Sequence, residues 1–100
     1  MIIAITARFE IAPEHLSDYL QAAATVVRET RLEPGCRLYA FSRDILQDNV
    51  IWISEEWDSD ADLQRHLATE HIRGFREFLG GVTFLSRDVR KYSVAEVGGI

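Results

Sequence analysis

Strand-like alternation and helix-like spacing follow one another in a fixed order along this chain, and that order constrains the fold more than any single motif. Ile2 to Glu10 predicts a first strand. One face of it is formed by Ile3, Ile5, Ala7 and Phe9. After Pro13, apolar residues recur at helical spacing, at Leu16, Leu20, Ala23, Ala24 and Val27. This helix should end before Glu33-Pro34-Gly35, because proline and glycine stop helices.

The middle of the chain predicts an antiparallel hairpin. Cys36 to Arg43 and Asn49 to Trp57 are strand-like, and the polar segment between them favours a turn. Along the second strand, Ile51, Ile53, Glu55 and Trp57 share one face, whereas Trp52, Ser54 and Glu56 share the other. Large aromatic residues on both faces indicate a sheet that is covered on both sides, by helices on one and by a partner subunit on the other.

The last third predicts a helical region and a final strand. Ser59 and Asp62 form a capping-box pattern, so a helix should run from about Asp60 toward Thr69. After a possible break, a second helical segment continues to Gly80-Gly81, with apolar spacing at Ile72, Phe75, Phe78 and Leu79. Val82 to Val94 predicts the last strand, with an irregularity around Ser86 to Asp88.

The predicted order is therefore strand, helix, strand, strand, helix, strand, the ferredoxin-like α+β pattern with a four-stranded antiparallel sheet. A chain of 100 residues, 47% of them apolar, is expected to form one domain spanning residues 1–100. So small a domain gains from association with a second copy, which again favours a homodimer.

Composition excludes several classes of function. A net charge of -5 disfavours nucleic-acid binding, which requires concentrated Lys and Arg. A single cysteine, Cys36, excludes an internal disulfide framework and a multi-cysteine metal site. No apolar stretch approaches the roughly 20 residues of a membrane span, and the start lacks the features of a signal peptide. We expect a cytoplasmic protein that binds neither nucleic acid nor membranes.

The sharpest candidate for chemistry is the cluster Glu55, Trp57, His66 and His71. Glu55 and Trp57 point to the same side of their strand, toward the helix that carries His66. Such a histidine could move a proton near neutral pH, with a neighbouring carboxylate to orient its ring. The alternative is structural, with a hydrogen bond between Glu55 and His66 and with Trp57 in the core. The spacing leaves both open.

Metal and cofactor sites are not predicted. His66 and His71 are five residues apart, so they differ by about 140° around an unbroken helix and could share a metal only if the helix breaks near Thr69. Three arginines, Arg8, Arg43 and Arg87, lie on or near strands and could meet an anionic substrate.

In order along the chain, several short motifs together resemble the antibiotic biosynthesis monooxygenase family. They are Glu33-Pro34-Gly35-Cys36 with Tyr39, Glu55-Glu56-Trp57-Asp58-Ser59, His66-Leu67 with Thr69 and His71, and Phe75. The resemblance implies a dimeric α+β barrel with a pocket in each subunit between sheet and helices. It also implies oxygenation of small quinol-like or polyphenolic substrates by molecular oxygen, with no prosthetic group or metal.

The resemblance further implies roles for individual residues. His66 would be the base and Glu55 its orienting group, with Trp57 and Phe75 as pocket walls. Tyr39 and His71 belong to the motifs of the resemblance and would bind substrate, and Arg8 completes the predicted substrate-binding set because it could meet an anionic substrate. Two alternatives stay open at this point: a non-catalytic dimeric module that binds a small ligand, and an isomerase or lyase for a small carbonyl compound. Convergence of Arg8 or Arg43 on the pocket would favour the latter.

Overall fold

The computed structural model describes residues 1–100 and contains four strands and three helices. A turn of 3-10 helix, Pro13–His15, leads into the first helix. The elements in chain order are β1 (Ile2–Ile11), α1 (Leu16–Thr30), β2 (Cys36–Arg43), β3 (Val50–Trp57), α2 (Asp60–Leu67), α3 (Glu70–Leu79) and β4 (Phe84–Val94).

The four strands form one antiparallel sheet in the order β2-β3-β1-β4. Both central strands, β1 and β3, pair with each other, with Ala7 opposite Ile53. This order confirms the predicted ferredoxin-like α+β fold. The last strand begins at Phe84 rather than at the predicted Val82. Its register against β1 shifts between Glu10, which pairs with Ser86, and Ile11, which pairs with Phe84, so the irregularity lies just before the predicted segment Ser86 to Asp88 and not within it.

All three helices cover the same face of the sheet, and the core lies between the two layers. Alternation along β1 and β3 directs Ile3, Ala7 and Ile53 into this core. Trp57 is completely buried at the end of β3. The opposite face of the sheet, called here the open face, carries Trp52 and no helix.

The predicted break in the second helical region is real, and Thr69 explains it. Its hydroxyl donates to the carbonyl of His66, at the end of α2 (2.8 Å), and accepts from the backbone N–H of Ile72, in the first turn of α3 (3.4 Å). A threonine that caps a new helix in this way ends the previous one. Ser59 caps α2 as predicted, by accepting from the N–H of Asp62 (3.2 Å).

Gly35 sets the path of the chain between α1 and β2. Its φ of +80° lies in the left-handed region, which favours glycine. A Cβ atom at this position would also collide with the carboxylate of Asp62. The turn thereby brings the residues just before it, including Glu33, against α2.

None of the three helices combines the length and the apolar composition that a membrane span requires.

Candidate functional site

His66 lies on the buried side of α2, where it is only 2% exposed. Its ring packs at 4.6 Å between centroids on Trp57 and at 5.3 Å on Tyr39. Two aromatic neighbours from β2 and β3 therefore fix the ring plane, and Ser59 fixes the start of the helix that carries it.

The partner of His66 is Glu33, in the turn after α1. Nδ1 of His66 lies 2.7 Å from Oε2 of Glu33. Nε2 of His71 lies at the same distance from the same oxygen. The three side chains are 3%, 20% and 10% exposed for His66, His71 and Glu33, respectively. One largely buried carboxylate thus joins two histidines that belong to different helices.

This arrangement corrects the expected pairing of Glu55 with His66. Glu55 instead accepts a hydrogen bond from the indole N–H of Trp57, at 2.9 Å. The two residues are two positions apart on β3 and share a face, so they lie within reach of each other. Burial raises the pKa of Glu55, and the bond from Trp57 opposes that rise.

The hydrogen bond to Glu33 assigns the tautomer of His66. An ionised carboxylate can only accept, so Nδ1 carries the proton and Nε2 has a free lone pair. Burial lowers the pKa of His66, and the bond and charge of Glu33 oppose this only in part. The ring is therefore neutral at neutral pH. A neutral imidazole held in one tautomer by a carboxylate is arranged to act as a base through its other nitrogen.

A cavity of about 220 Å³ lies between the sheet and the helices, and His66 and Glu55 both line it. Its walls are mostly apolar, and six of the fourteen lining residues are aromatic: Phe9, Tyr19, Tyr39, Phe41, Phe75 and Phe84. An apolar cavity of about 150 Å³ can hold benzene, so this volume admits one substituted aromatic ring. Nε2 of His66 has no hydrogen-bond partner in the protein. It is not fully buried either, because Oγ1 of Thr30 is the one fully buried side-chain polar atom that lacks a partner. Nε2 therefore contacts open space, which for this ring is the cavity.

The cavity includes some of the predicted site residues and leaves others out. Tyr39 and Phe75 line it as predicted. Trp57 does not, since it is fully buried behind His66. His71 lines a separate groove between α1 and α3 and reaches the site only through Glu33. Arg8 lies on the open face with its guanidinium 5.8 Å from the ring of Trp52.

Two arginines take the place that Arg8 and Arg43 would have occupied. Arg76 on α3 and Arg87 on β4 both line the cavity. They are the only exposed residues of the lining, so they lie where the cavity meets solvent. Arg87 was one of the three arginines singled out by the sequence, whereas Arg76 was not.

Glu33, His66 and His71 are also the one group of side chains that could hold a metal ion, with ligand atoms within 4.8 Å of one another. Two ligands of a tetrahedral zinc ion are roughly 3.3 Å apart, given bonds of about 2.0–2.1 Å. The N···O distances of 2.7 Å are shorter than this and are those of hydrogen bonds. A metal could bind here only after both nitrogens moved away from the carboxylate.

Like Arg76, Glu33 is a site residue that the sequence did not single out. It appeared there only as part of a helix-stopping turn, although the Glu-Pro-Gly-Cys motif that contains it is one basis of the family resemblance. Its pairing with His66 spans 33 residues and depends on the fold.

The sequence model described as antibiotic biosynthesis monooxygenase matches residues 2–77. The chain is 26% identical over 94 residues to the uncharacterized protein sll1783 of Synechocystis. This alignment covers 94% of the chain and 64% of the relative. The chain is 27% identical over 74 residues to the "Putative monooxygenase YcnE" of Bacillus subtilis, covering 74% of the chain and 78% of the relative. The chain thus spans just under two thirds of the length of the first relative.

Solved structures show the same fold over the whole chain. A "putative antibiotic biosynthesis monooxygenase" from Deinococcus radiodurans superposes with a TM-score of 0.88 at 26% identity, covering 100% of the chain and 98% of that protein. Rv0793 from Mycobacterium tuberculosis superposes with a TM-score of 0.89 at 21% identity, covering 99% of the chain and 100% of that protein. The second likeness concerns the fold alone.

Proposed function

Because the chain belongs to the antibiotic biosynthesis monooxygenase family, we propose that it is a cofactor-independent monooxygenase of a small quinol or similar electron-rich aromatic compound. The observation that carries this proposal is the neutral His66, held by Glu33 at Nδ1 and facing a cavity large enough for one aromatic ring. In this role His66 is the catalytic base, and Glu33 replaces Glu55 as its positioning residue.

The chemistry asks little of the protein. A quinol hydroxyl donates its proton to Nε2 of His66, and the resulting phenolate is electron-rich enough to pass an electron to molecular oxygen. The ring then gains one oxygen atom, and the other leaves as water. A hydroquinone and oxygen thus give a hydroxyquinone and water, so the substrate itself supplies every electron. The protein removes the proton, orients the ring and excludes bulk water.

The walls of the cavity support this role. Phe41 of the sheet and Phe75 of α3 pack on each other, with their ring centroids 6.3 Å apart, and both present apolar surface to the cavity. Glu55 also lines the cavity, where burial raises the pKa of its carboxyl group, and a carboxyl oxygen there can accept a hydrogen bond from a substrate hydroxyl.

Oxygen uptake with a panel of hydroquinones tests the proposal. Wild-type protein should consume oxygen and form the hydroxyquinone, and His66→Ala should lower the rate by about 10²–10⁴-fold, the usual contribution of a positioned base. The matched control is His15→Ala, because His15 lies at the start of α1 and bonds only the backbone N–H of Thr83 (2.9 Å). Binding without turnover in the wild type would instead identify a ligand-binding module, and equal rates in wild type and His66→Ala would refute the role of His66.

We further propose that two copies of the chain pack through their open faces. Leu38, Trp52 and Tyr92 are 39%, 43% and 45% exposed on this face, a large apolar and aromatic area for a sheet to leave in water. Small residues lie between them, so a second sheet could pack closely. Light scattering should give a dimer for the wild type and a monomer for Trp52→Glu, whereas Leu32→Glu, at a residue that is 81% exposed after α1, should stay dimeric. A monomeric wild type would contradict the proposal.

A further inference from the structure

We infer that the aromatic compound bound next to His66 carries a carboxylate, and that Arg76 and Arg87 bind it at the edge of the cavity. This inference rests on the proposed function, since it assigns the class of substrate to the same cavity. Two arginines without a partner in the protein line this one cavity.

Most cations of this chain already have partners. Of its eleven Lys and Arg side chains, eight make a hydrogen bond or ion pair within the protein. Arg73, for example, bridges Glu70 and Glu77 on the outside of α3. The three without such a partner are Arg43, Arg76 and Arg87, and two of these three line the one cavity that contains His66.

The two free guanidinium groups approach the cavity from opposite layers. Arg76 is on α3 and Arg87 is on β4, at the level of Phe9 in the neighbouring strand. The guanidinium of Arg87 lies 4.5 Å from the centroid of Phe84, a cation–π contact that holds it against the aromatic wall. The charge of Arg76 acts on His66 and contributes to lowering the pKa of that ring. Both charges are therefore close to where a bound ring would lie.

A carboxylate is the group that this pair of side chains suits. Guanidinium presents its N–H donors in a planar fork that matches a carboxylate, and hydrogen bonds between ionised groups are stronger than neutral ones. The cavity walls that face the ring are apolar and would not compete for the acid. The one carboxyl group in the lining, Glu55, already accepts a hydrogen bond from the indole N–H of Trp57, at 2.9 Å.

The two arginines that would bind the carboxylate lie apart from His66, the base that would remove the proton. His66 is buried at the inner end of the site, and the arginines are at its exposed edge. A dihydroxybenzoate could therefore direct a hydroxyl toward Nε2 while its carboxylate stays between the guanidinium groups. Binding energy from the acid would orient the ring for proton removal.

Isothermal titration calorimetry with three small compounds tests this inference: 2,5-dihydroxybenzoate, its neutral methyl ester and benzoate. The free acid should bind at least about tenfold more tightly than the ester, because each charge-assisted hydrogen bond is worth that much or more. Arg76→Gln and Arg87→Gln should each reduce the ratio of affinities, and the double variant should bring it close to one. Arg43→Gln is the matched control, an unpaired arginine outside the cavity, and should leave the ratio unchanged.

Equal affinities for acid and ester in the wild type would overturn the inference, and so would an equal loss of the ratio in Arg43→Gln. The outcome is separable from that of the proposed function. Preferential binding of the acids without oxygen uptake would refute the monooxygenase and retain the carboxylate subsite. Oxygen uptake with neutral hydroquinone, together with equal binding of the acid and the ester, would support the monooxygenase and refute the carboxylate subsite.

Discussion

Replacing Glu33 by glutamine probes the centre of the site with the smallest change of shape. The amide keeps an acceptor oxygen for His66 and His71 but loses the charge. A hydrogen bond to a charged group contributes about 1.5–3 kcal/mol and a neutral one about 1 kcal/mol. The two 2.7 Å bonds are largely buried, so solvent screens them little. Glu33→Gln should therefore lower the free energy of unfolding by about 1–4 kcal/mol, measured by urea denaturation.

The same substitution should affect catalysis more than stability. The amide nitrogen that Glu33→Gln introduces can donate to Nδ1 of His66, which favours the tautomer with its proton on Nε2 and removes the base. Loss of the correct tautomer lowers the rate by up to about 10⁴-fold in the hydrolytic triad, where a carboxylate holds a histidine in the same way. Oxygen uptake with the best hydroquinone should accordingly fall by about 10²–10⁴-fold.

Two further variants give this experiment its contrast. Glu77→Gln removes only an exposed pair with Arg73 and should leave rate and stability nearly unchanged. Glu55→Gln should lower the rate less than Glu33→Gln, because Glu55 lines the cavity but makes no hydrogen bond with His66. Full activity in Glu33→Gln together with its loss in Glu55→Gln would refute the reasoning and restore Glu55 as the orienting group.

Three other predictions concern stability. Gly35→Ala should lower the free energy of unfolding by at least about 1 kcal/mol, because of the positive φ and the collision with Asp62, whereas Gly74→Ala, in open space on α3, should not destabilise; equal effects would contradict this. Glu55→Gln should stabilise the protein relative to wild type as pH rises above 4.5, because a carboxyl group whose pKa is raised by folding costs stability above its unfolded pKa. A difference in the free energy of unfolding between variant and wild type that is the same at pH 4 and pH 7 would exclude this cause. The pKa of His66 is shifted in the opposite direction, because it is lowered in the folded state, so the free energy of unfolding should fall as pH drops below 6.5. In His66→Gln the free energy of unfolding should fall less over the same pH range, and an equal fall in variant and wild type would contradict this.

Hydrophobic periodicity was sufficient to predict the fold. Alternation along β1 and β3, the Pro34-Gly35 and Gly80-Gly81 stops and the cap at Ser59 each act within a few residues, and together they specify the element order. The same alternation places Arg8 on the face opposite Ile5 and Ala7, so its assignment to the cavity could have been rejected from the sequence alone.

The contacts that define the site were harder to foresee. Glu33 meets His66 because Gly35 turns the chain against α2, and His71 joins them because Thr69 starts a new helix. Both effects depend on turn geometry between distant segments, which periodicity does not describe. The spacing of the strand and helix residues and the family resemblance both indicated His66, but they paired it with Glu55, which bonds Trp57 instead.

The dimer and the substrate class concern surfaces that periodicity describes only in part. The large aromatic side chain of Trp52, on the same side of β3 as Ser54 and Glu56, predicts that a partner subunit covers this face. Arg76, by contrast, resembles any solvent-facing helix residue until α3 is placed over the sheet. Its significance depends on the absence of an internal partner, which is a property of the whole fold.

We infer that His66 is a neutral base with Nδ1–H on Glu33 and a free Nε2 in the cavity. Long-range ¹⁵N–¹H NMR of the imidazole groups, recorded across a pH titration, tests it most directly. We expect a proton on Nδ1 and none on Nε2 at neutral pH, with a pKa for His66 below the ordinary 6.5. A proton on Nε2, or a pKa above 6.5, would contradict it.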